Sequence, residues 1–140
     1  MAAIPATPVV LRAGDTLPER RIGPLTRTDL VRYAGAGGDF NPIHHDEPMA
    51  LEAGMPSVFA MGLLHAGMLG LQLARWVGPE ALRSYAVRFT GQVWPGDVLT
   101  FSGRVLAIDA DGLAALELEV ARQDGDVVLT AVATAVAAPA

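Results

Sequence analysis

The chain has 140 residues, 51% of them hydrophobic and 18% charged, which suits one folded domain with a real core and is too apolar for disorder. It has no cysteine, and all ten basic residues are arginine, which excludes disulfide frameworks, cysteine-ligated zinc, thiolate nucleophiles, Schiff-base lysines and the Gly-Lys-Ser/Thr phosphate loop. The formal net charge of -5 comes with scattered arginines, only Arg20 and Arg21 being adjacent, so neither nucleic acid nor an anionic membrane surface is an expected partner.

The first ten residues, MAAIPATPVV, lack a basic start and an apolar run. No secretory leader is expected, and with zero cysteine the expected location is cytoplasmic. Asp15 to Leu25 supplies a first strand through Leu17, Ile22 and Leu25. A helix then starts at Thr26, an N-cap with Asp29 three residues on and Leu25 and Leu30 placed as a hydrophobic staple. It carries Leu30, Val31, Tyr33 and Ala34 and dissolves at Gly35, Gly37 and Gly38. From Gly37 to Asp46 the chain is irregular, because Gly37-Gly38 permits positive φ and Pro42 pushes Asn41 into an extended conformation.

Pro48 to Ala53 forms a short helix closed by Gly54, and Met61 to Val77 a long apolar helix stopped by Gly78-Pro79. Residues 55–74 are long and apolar enough to suggest a membrane span. Yet Pro56, His65 and Gln72 lie inside them and the arginines show no flank bias, so a helix buried on all sides of a core is the better reading. The remainder has the period of two of antiparallel sheet. Tyr85, Val87, Phe89 and Val93 share one face, then Leu99, Phe101 and Val105, then Leu116, Leu118 and Val120, with Val127 to Val136 last. Turns at Pro95-Gly96-Asp97, Asp109 to Gly112 and Gln123 to Asp126 make this a four-strand meander. One strand, helical segments and a meander give an α+β domain over residues 1–140, its sheet covering the only strongly apolar helix.

Proton transfer near neutral pH has three imidazoles to draw on: His44, His45 and His65. Asp39 and His44, five apart in a kinked loop, can converge on one small volume and there hold and deprotonate a water. The ordinary alternative is that Asp39 caps the glycine turn while His44 bonds locally. His45 points opposite to His44 if the backbone is extended. A metal site of His44, His45, Asp39 and His65 lacks a spacing that would fix three ligands. His65, in the apolar helix, reads as a core histidine with its hydrogen bonds satisfied.

The segment Tyr33 to His44, with its Gly38-Asp39-Phe40-Asn41-Pro42-Ile43-His44 core, closely resembles the signature of the MaoC-like, (R)-specific enoyl hydratases. It is also similar to the catalytic subunit of mycobacterial-type (3R)-hydroxyacyl-ACP dehydratases. Gly14 to Pro18, Leu25 to Leu30, Val87 to Thr90 and Pro95 to Asp97 extend the likeness over nearly the whole chain. The resemblance implies a hot-dog fold, a curved antiparallel sheet wrapped around the helix of residues 61–77. It also implies a homodimer, or a heterodimer with a related subunit. The implied reaction is reversible hydration of a trans-2-enoyl thioester of CoA or acyl carrier protein to the (3R)-hydroxyacyl thioester. It needs no cofactor and belongs to fatty-acid or related acyl metabolism.

In it Asp39 and His44 activate water, Asn41 holds the loop or polarises the pair, and the Gly62 amide receives the thioester oxygen. Two positions depart from the family: Met61 stands where relatives often carry histidine, and Ala36 is smaller than usual. Two other readings remain, a non-catalytic acyl-binding or dimer-completing subunit and a hot-dog thioesterase. The first ordinarily lacks the Asp/His pair, and the second leaves the motif unexplained.

Overall fold

The computed structural model describes residues 8–139, so most of the stretch read above for a leader lies outside the described residues. In chain order the elements are β1 (Arg20–Ile22), α1 (Arg27–Gly37), a 3-10 turn (Pro42–His44), α2 (Glu47–Glu52) and α3 (Gly62–Val77). Four strands follow: β2 (Leu82–Phe89), β3 (Leu99–Ile108), β4 (Leu113–Arg122) and β5 (Val127–Val136). All five strands join one antiparallel sheet in the order β1-β3-β4-β5-β2.

Alternation along β3, β4 and β5 sends Phe101, Val105, Leu116, Leu118, Val120 and Leu129 into the core, where they meet Leu64, Leu69, Leu73 and Val77 of α3. Leu69 and Leu73 are wholly buried, and each contributes about 1.5–3 kcal/mol from the surface it removes from water. A sheet wrapped around one long helix is the hot-dog arrangement.

The strands do not form the expected four-strand meander. β3, β4 and β5 do, but β2 pairs with β5 and lies at the far edge from β1. Pro95-Gly96-Asp97 is a turn in a crossover rather than the tip of a hairpin. Wholly buried Val93 anchors that crossover, its carbonyl accepting from the Ala60 amide at 2.8 Å. The period of two tells which residues face inward and leaves open which strand is the neighbour. β2 also stops at Phe89, short of Val93, where the Thr90 and Gly91 amides both turn to the Val128 carbonyl.

Two helices differ from expectation as well. α1 continues through Gly35 and Gly37 and ends at Gly38, whose φ of +71° is the left-handed conformation open to glycine. The Thr26–Asp29 capping box is present, and the flanking Leu25 and Leu30 are both buried. α3 is not buried on all sides. Leu63 and Leu71 are 63% and 43% exposed, and with exposed Gly67 between them they form a stripe at helical spacing. Among the described residues no helix is long and apolar enough to cross a membrane.

Candidate active site

The loop after α1, the approach to α3 and the end of β2 enclose a cavity of about 450 Å³, with Asp39, His44, Phe59, Gly62, His65 and Phe89 in its wall. Gly38 turns the chain out of α1, and the Asn41 side chain begins the 3-10 turn by accepting from the Ile43 amide at 3.3 Å. This turn, rather than an extended strand, carries His44 inward and leaves His45 exposed.

His44 is 8% exposed and stands edge-on to Phe59, with ring centres 4.9 Å apart. Its Nδ1 lies 2.7 Å from the Phe59 carbonyl oxygen. A carbonyl can only accept, so Nδ1 carries the hydrogen and the neutral ring presents a lone pair at Nε2. That atom is 3.7 Å from Oδ2 of Asp39, too far for a hydrogen bond and close enough for one water to reach both. The other Asp39 oxygen accepts from the Asn41 amide at 3.3 Å, so one oxygen is tied to the loop and its twin is left toward His44. Asn41 therefore sits in the turn and is not among the residues of the cavity wall.

The N-terminus of α3 completes the wall. α1 and α2 both have capping side chains, Thr26 and Asp46, whereas Met61 offers none to α3. The Leu64 amide turns back to the Met61 carbonyl at 3.0 Å, those of Gly62 and Leu63 have no partner within the helix, and the helix dipole favours negative charge there. Gly62 and Leu63 bring this end of α3 to the cavity. A side chain at Gly62 would displace the Phe89 ring: a Cβ there would lie 2.8 Å from its Cε1.

His65 is buried as expected, at 1% exposure, but it is not satisfied. Neither ring nitrogen has a hydrogen-bond partner among the described residues. Burial pushes its pKa down to about 4, so the ring is neutral at pH 7. Its ring meets Phe89 edge-to-face at 5.9 Å. Phe59, which acts through its carbonyl, is marked by no motif, and Phe89 falls within the Val87 to Thr90 likeness without its ring contacts being legible there.

A further unforeseen feature is a clip beside the loop. Arg27 at the start of α1 pairs with Glu47 at the start of α2 at 2.6 Å, and the Ser57 hydroxyl donates to the same carboxylate. These partners hold Glu47 below the usual carboxylate range. A wider depression of about 670 Å³ on the sheet, bordered by Arg88, Arg104, Glu117 and Glu119, contains no imidazole. Among the described residues no three His, Asp or Glu side chains group as a metal ion would need.

Residues 10–118 match the MaoC like domain. The chain belongs to the MaoC-like dehydratase family. It is 34% identical over 92 residues to the 3-oxo-4,17-pregnadiene-20-carboxyl-CoA hydratase beta subunit of Mycobacterium tuberculosis, covering 65% of this chain and 70% of that one. It is 35% identical over 115 residues to 3-hydroxyacyl-thioester dehydratase Y of the same organism, covering 79% of this chain and 39% of that longer protein. The R-hydratase PhaJ1 of Pseudomonas aeruginosa superposes with a TM-score of 0.80 at 26% identity, over 91% of this chain and 84% of that one.

Both curated relatives are named for hydration or dehydration, one of a CoA thioester and one of a 3-hydroxyacyl thioester, and the chain spans 70% of the first and 39% of the second. Within the MaoC-like domain the Asp39 to His44 motif is a single turn between α1 and α2. The Asp39 and His44 side chains each bond to a backbone group, those of Asn41 and Phe59.

Proposed function

We propose that the chain adds water reversibly across the C2=C3 bond of a trans-2-enoyl thioester to give the (3R)-hydroxyacyl thioester. Asp39 and His44 act as the water-activating pair. A water between Nε2 of His44 and Oδ2 of Asp39 donates a hydrogen bond to each. Its oxygen adds to C3 while a proton passes to Nε2, and the resulting imidazolium is stabilised by the Asp39 carboxylate. The same pair returns a proton to C2, and dehydration runs the path backwards.

As C3 is attacked, negative charge develops on the thioester oxygen. The Gly62 amide at the uncapped start of α3 receives it, a contribution worth about 3 kcal/mol in comparable sites. The observation that carries the reading is the 3.7 Å separation of Nε2 and Oδ2, with Nδ1 held on the Phe59 carbonyl. The thioester arm is CoA or acyl carrier protein, and the setting is cytoplasmic acyl metabolism.

One hot-dog domain per chain and two chains per enzyme is the assembly we infer. The far edge of β2 is free among the described strands, and the exposed Leu63–Gly67–Leu71 stripe and half-exposed Phe89 are ready to be covered. The partner is a second copy or a related hot-dog subunit. The beta-subunit name of one relative supports an assembly of this kind.

The test is loss of enoyl absorbance from crotonyl-CoA. The native protein consumes it, and Asp39→Asn or His44→Ala slows turnover by at least a hundredfold with circular dichroism unchanged. Release of free thiol in place of hydration would identify a thioesterase. Turnover only after adding a related subunit would identify an obligate heterodimer.

A further inference from the structure

Resting on the hydratase reading, we propose that His65 is a specificity-determining residue that selects acyl chains carrying an oxygen, a carbonyl or hydroxyl, near their fourth or fifth carbon. Two nitrogens of a fully buried imidazole lack any partner among the described residues, although buried polar groups are ordinarily hydrogen-bonded. The ring sits in the wall of the cavity that holds Asp39 and His44, which places it where a bound acyl chain would run.

Its position on α3 sets the reach. His65 follows Gly62 by three residues, so both lie on one face of the helix, separated by a rise of about 4.5 Å. With the thioester carbon at the Gly62 amide, that rise corresponds to the fourth or fifth carbon of the chain. Side chains on a helix lean toward its N-terminus, which keeps the imidazole on the Gly62 side, in the cavity wall. The ring is neutral, so one nitrogen donates and the other accepts. A plain alkyl chain satisfies neither atom, and an oxygen substituent satisfies at least one.

Phe89 now covers both positions. Its ring packs over the Gly62 Cα and against His65 while remaining 48% exposed. A swing of that side chain opens the imidazole to the acyl chain. Leucine at position 65 would fill similar space without unpaired atoms, so the histidine weakens the core unless a ligand meets it.

The experiment measures binding of saturated thioesters, which cannot react, by calorimetry on the full chain. The native protein is expected to bind 5-oxohexanoyl-CoA or 4-oxohexanoyl-CoA at least tenfold more tightly than hexanoyl-CoA. His65→Leu brings that ratio to near one and raises the melting temperature, whereas His65→Gln keeps a donor and retains part of the preference. A native ratio near one, or a ratio untouched by His65→Leu, overturns the proposal. So does His65→Leu lowering the melting temperature and dissociating an oligomer, because the imidazole is then paired with a partner subunit. Native turnover of crotonyl-CoA, measured separately, decides the hydratase reading whatever the binding ratio.

Discussion

Phe89 lies across Gly62 so closely that its Cε1 is 2.8 Å, and its Cδ1 2.9 Å, from where a glycine-to-alanine Cβ would stand. The strand edge and the helix start are thereby fitted to each other at the cavity. Gly62→Ala keeps the backbone N–H but displaces the ring. We expect it to cut kcat on crotonyl-CoA about tenfold or more while moving the melting temperature by only a few degrees, since the ring is half-exposed and can shift. Gly62→Ala combined with Phe89→Ala recovers part of the lost rate. A single variant with unchanged kcat would mean that the ring contact plays no part in catalysis.

Asn41 gives a second, milder effect. Its side chain accepts from the Ile43 amide and its own amide donates to Asp39. Asn41→Ala removes the cap, at a cost of about 1 kcal/mol, and loosens the turn that sets the Asp39–His44 separation. The expected outcome is a fall in kcat with little change in KM, and Asn41→Ser, which restores a capping oxygen, regains most of the rate. Steady-state kinetics of the two variants provide the check.

Asp97 fixes the crossover that sequence periodicity misread. It is 7% exposed, and its carboxylate accepts from the Trp94 amide at 2.8 Å and from the Gln123 side chain at 2.9 Å. Gln123 in turn accepts from the Val98 amide. Asp97→Ala leaves these donors unpaired in a buried setting, a loss of about 2–4 kcal/mol in urea unfolding. Asp97→Asn keeps acceptor capacity at Trp94 and costs less.

The sequence was legible where one residue type has one local use. Thr26 with Asp29, Gly38 after α1, Gly54 after α2 and the alternation of β3 to β5 each follow from capping, positive φ or burial, and each is present. The Asp39 to His44 motif lies in a turn, and both side chains border one cavity. What could not be read depends on distant partners. β2 joins β5 rather than β3 because buried Val93 and Asp97 carry the chain across. The His44 tautomer depends on a carbonyl fifteen residues away. Apolar composition alone made α3 look buried all round, whereas Leu63 and Leu71 face outward.

That exposed stripe leads to a prediction about assembly. Leu71 lies outside the cavity and is 43% exposed, so Leu71→Arg should fold as well as the native chain when alone. If the stripe is covered by a second hot-dog chain, a buried unpaired charge there is prohibitive. Size-exclusion chromatography with light scattering should then show monomer for Leu71→Arg and dimer for the native chain, with crotonyl-CoA turnover falling alongside. A native monomer with full activity would remove the need for a partner.

His65 also makes stability depend on pH, with a sign that follows from its burial. Its pKa is about 6.5 in the unfolded chain and about 4 when folded, because the interior disfavours the charged ring. Between those values the unfolded state binds the extra proton, so folding stability falls as pH drops from 6.5 toward 4 and levels off below. The shift corresponds to about 3 kcal/mol at most. Asp39 and His44 share the cavity and remain in every variant compared, so the difference between native and His65→Leu isolates this ring. Urea unfolding at pH 7.0 and 4.5 should show the native chain losing clearly more stability than His65→Leu. Equal losses would mean that the imidazole is already paired, and charged without penalty, in the folded protein.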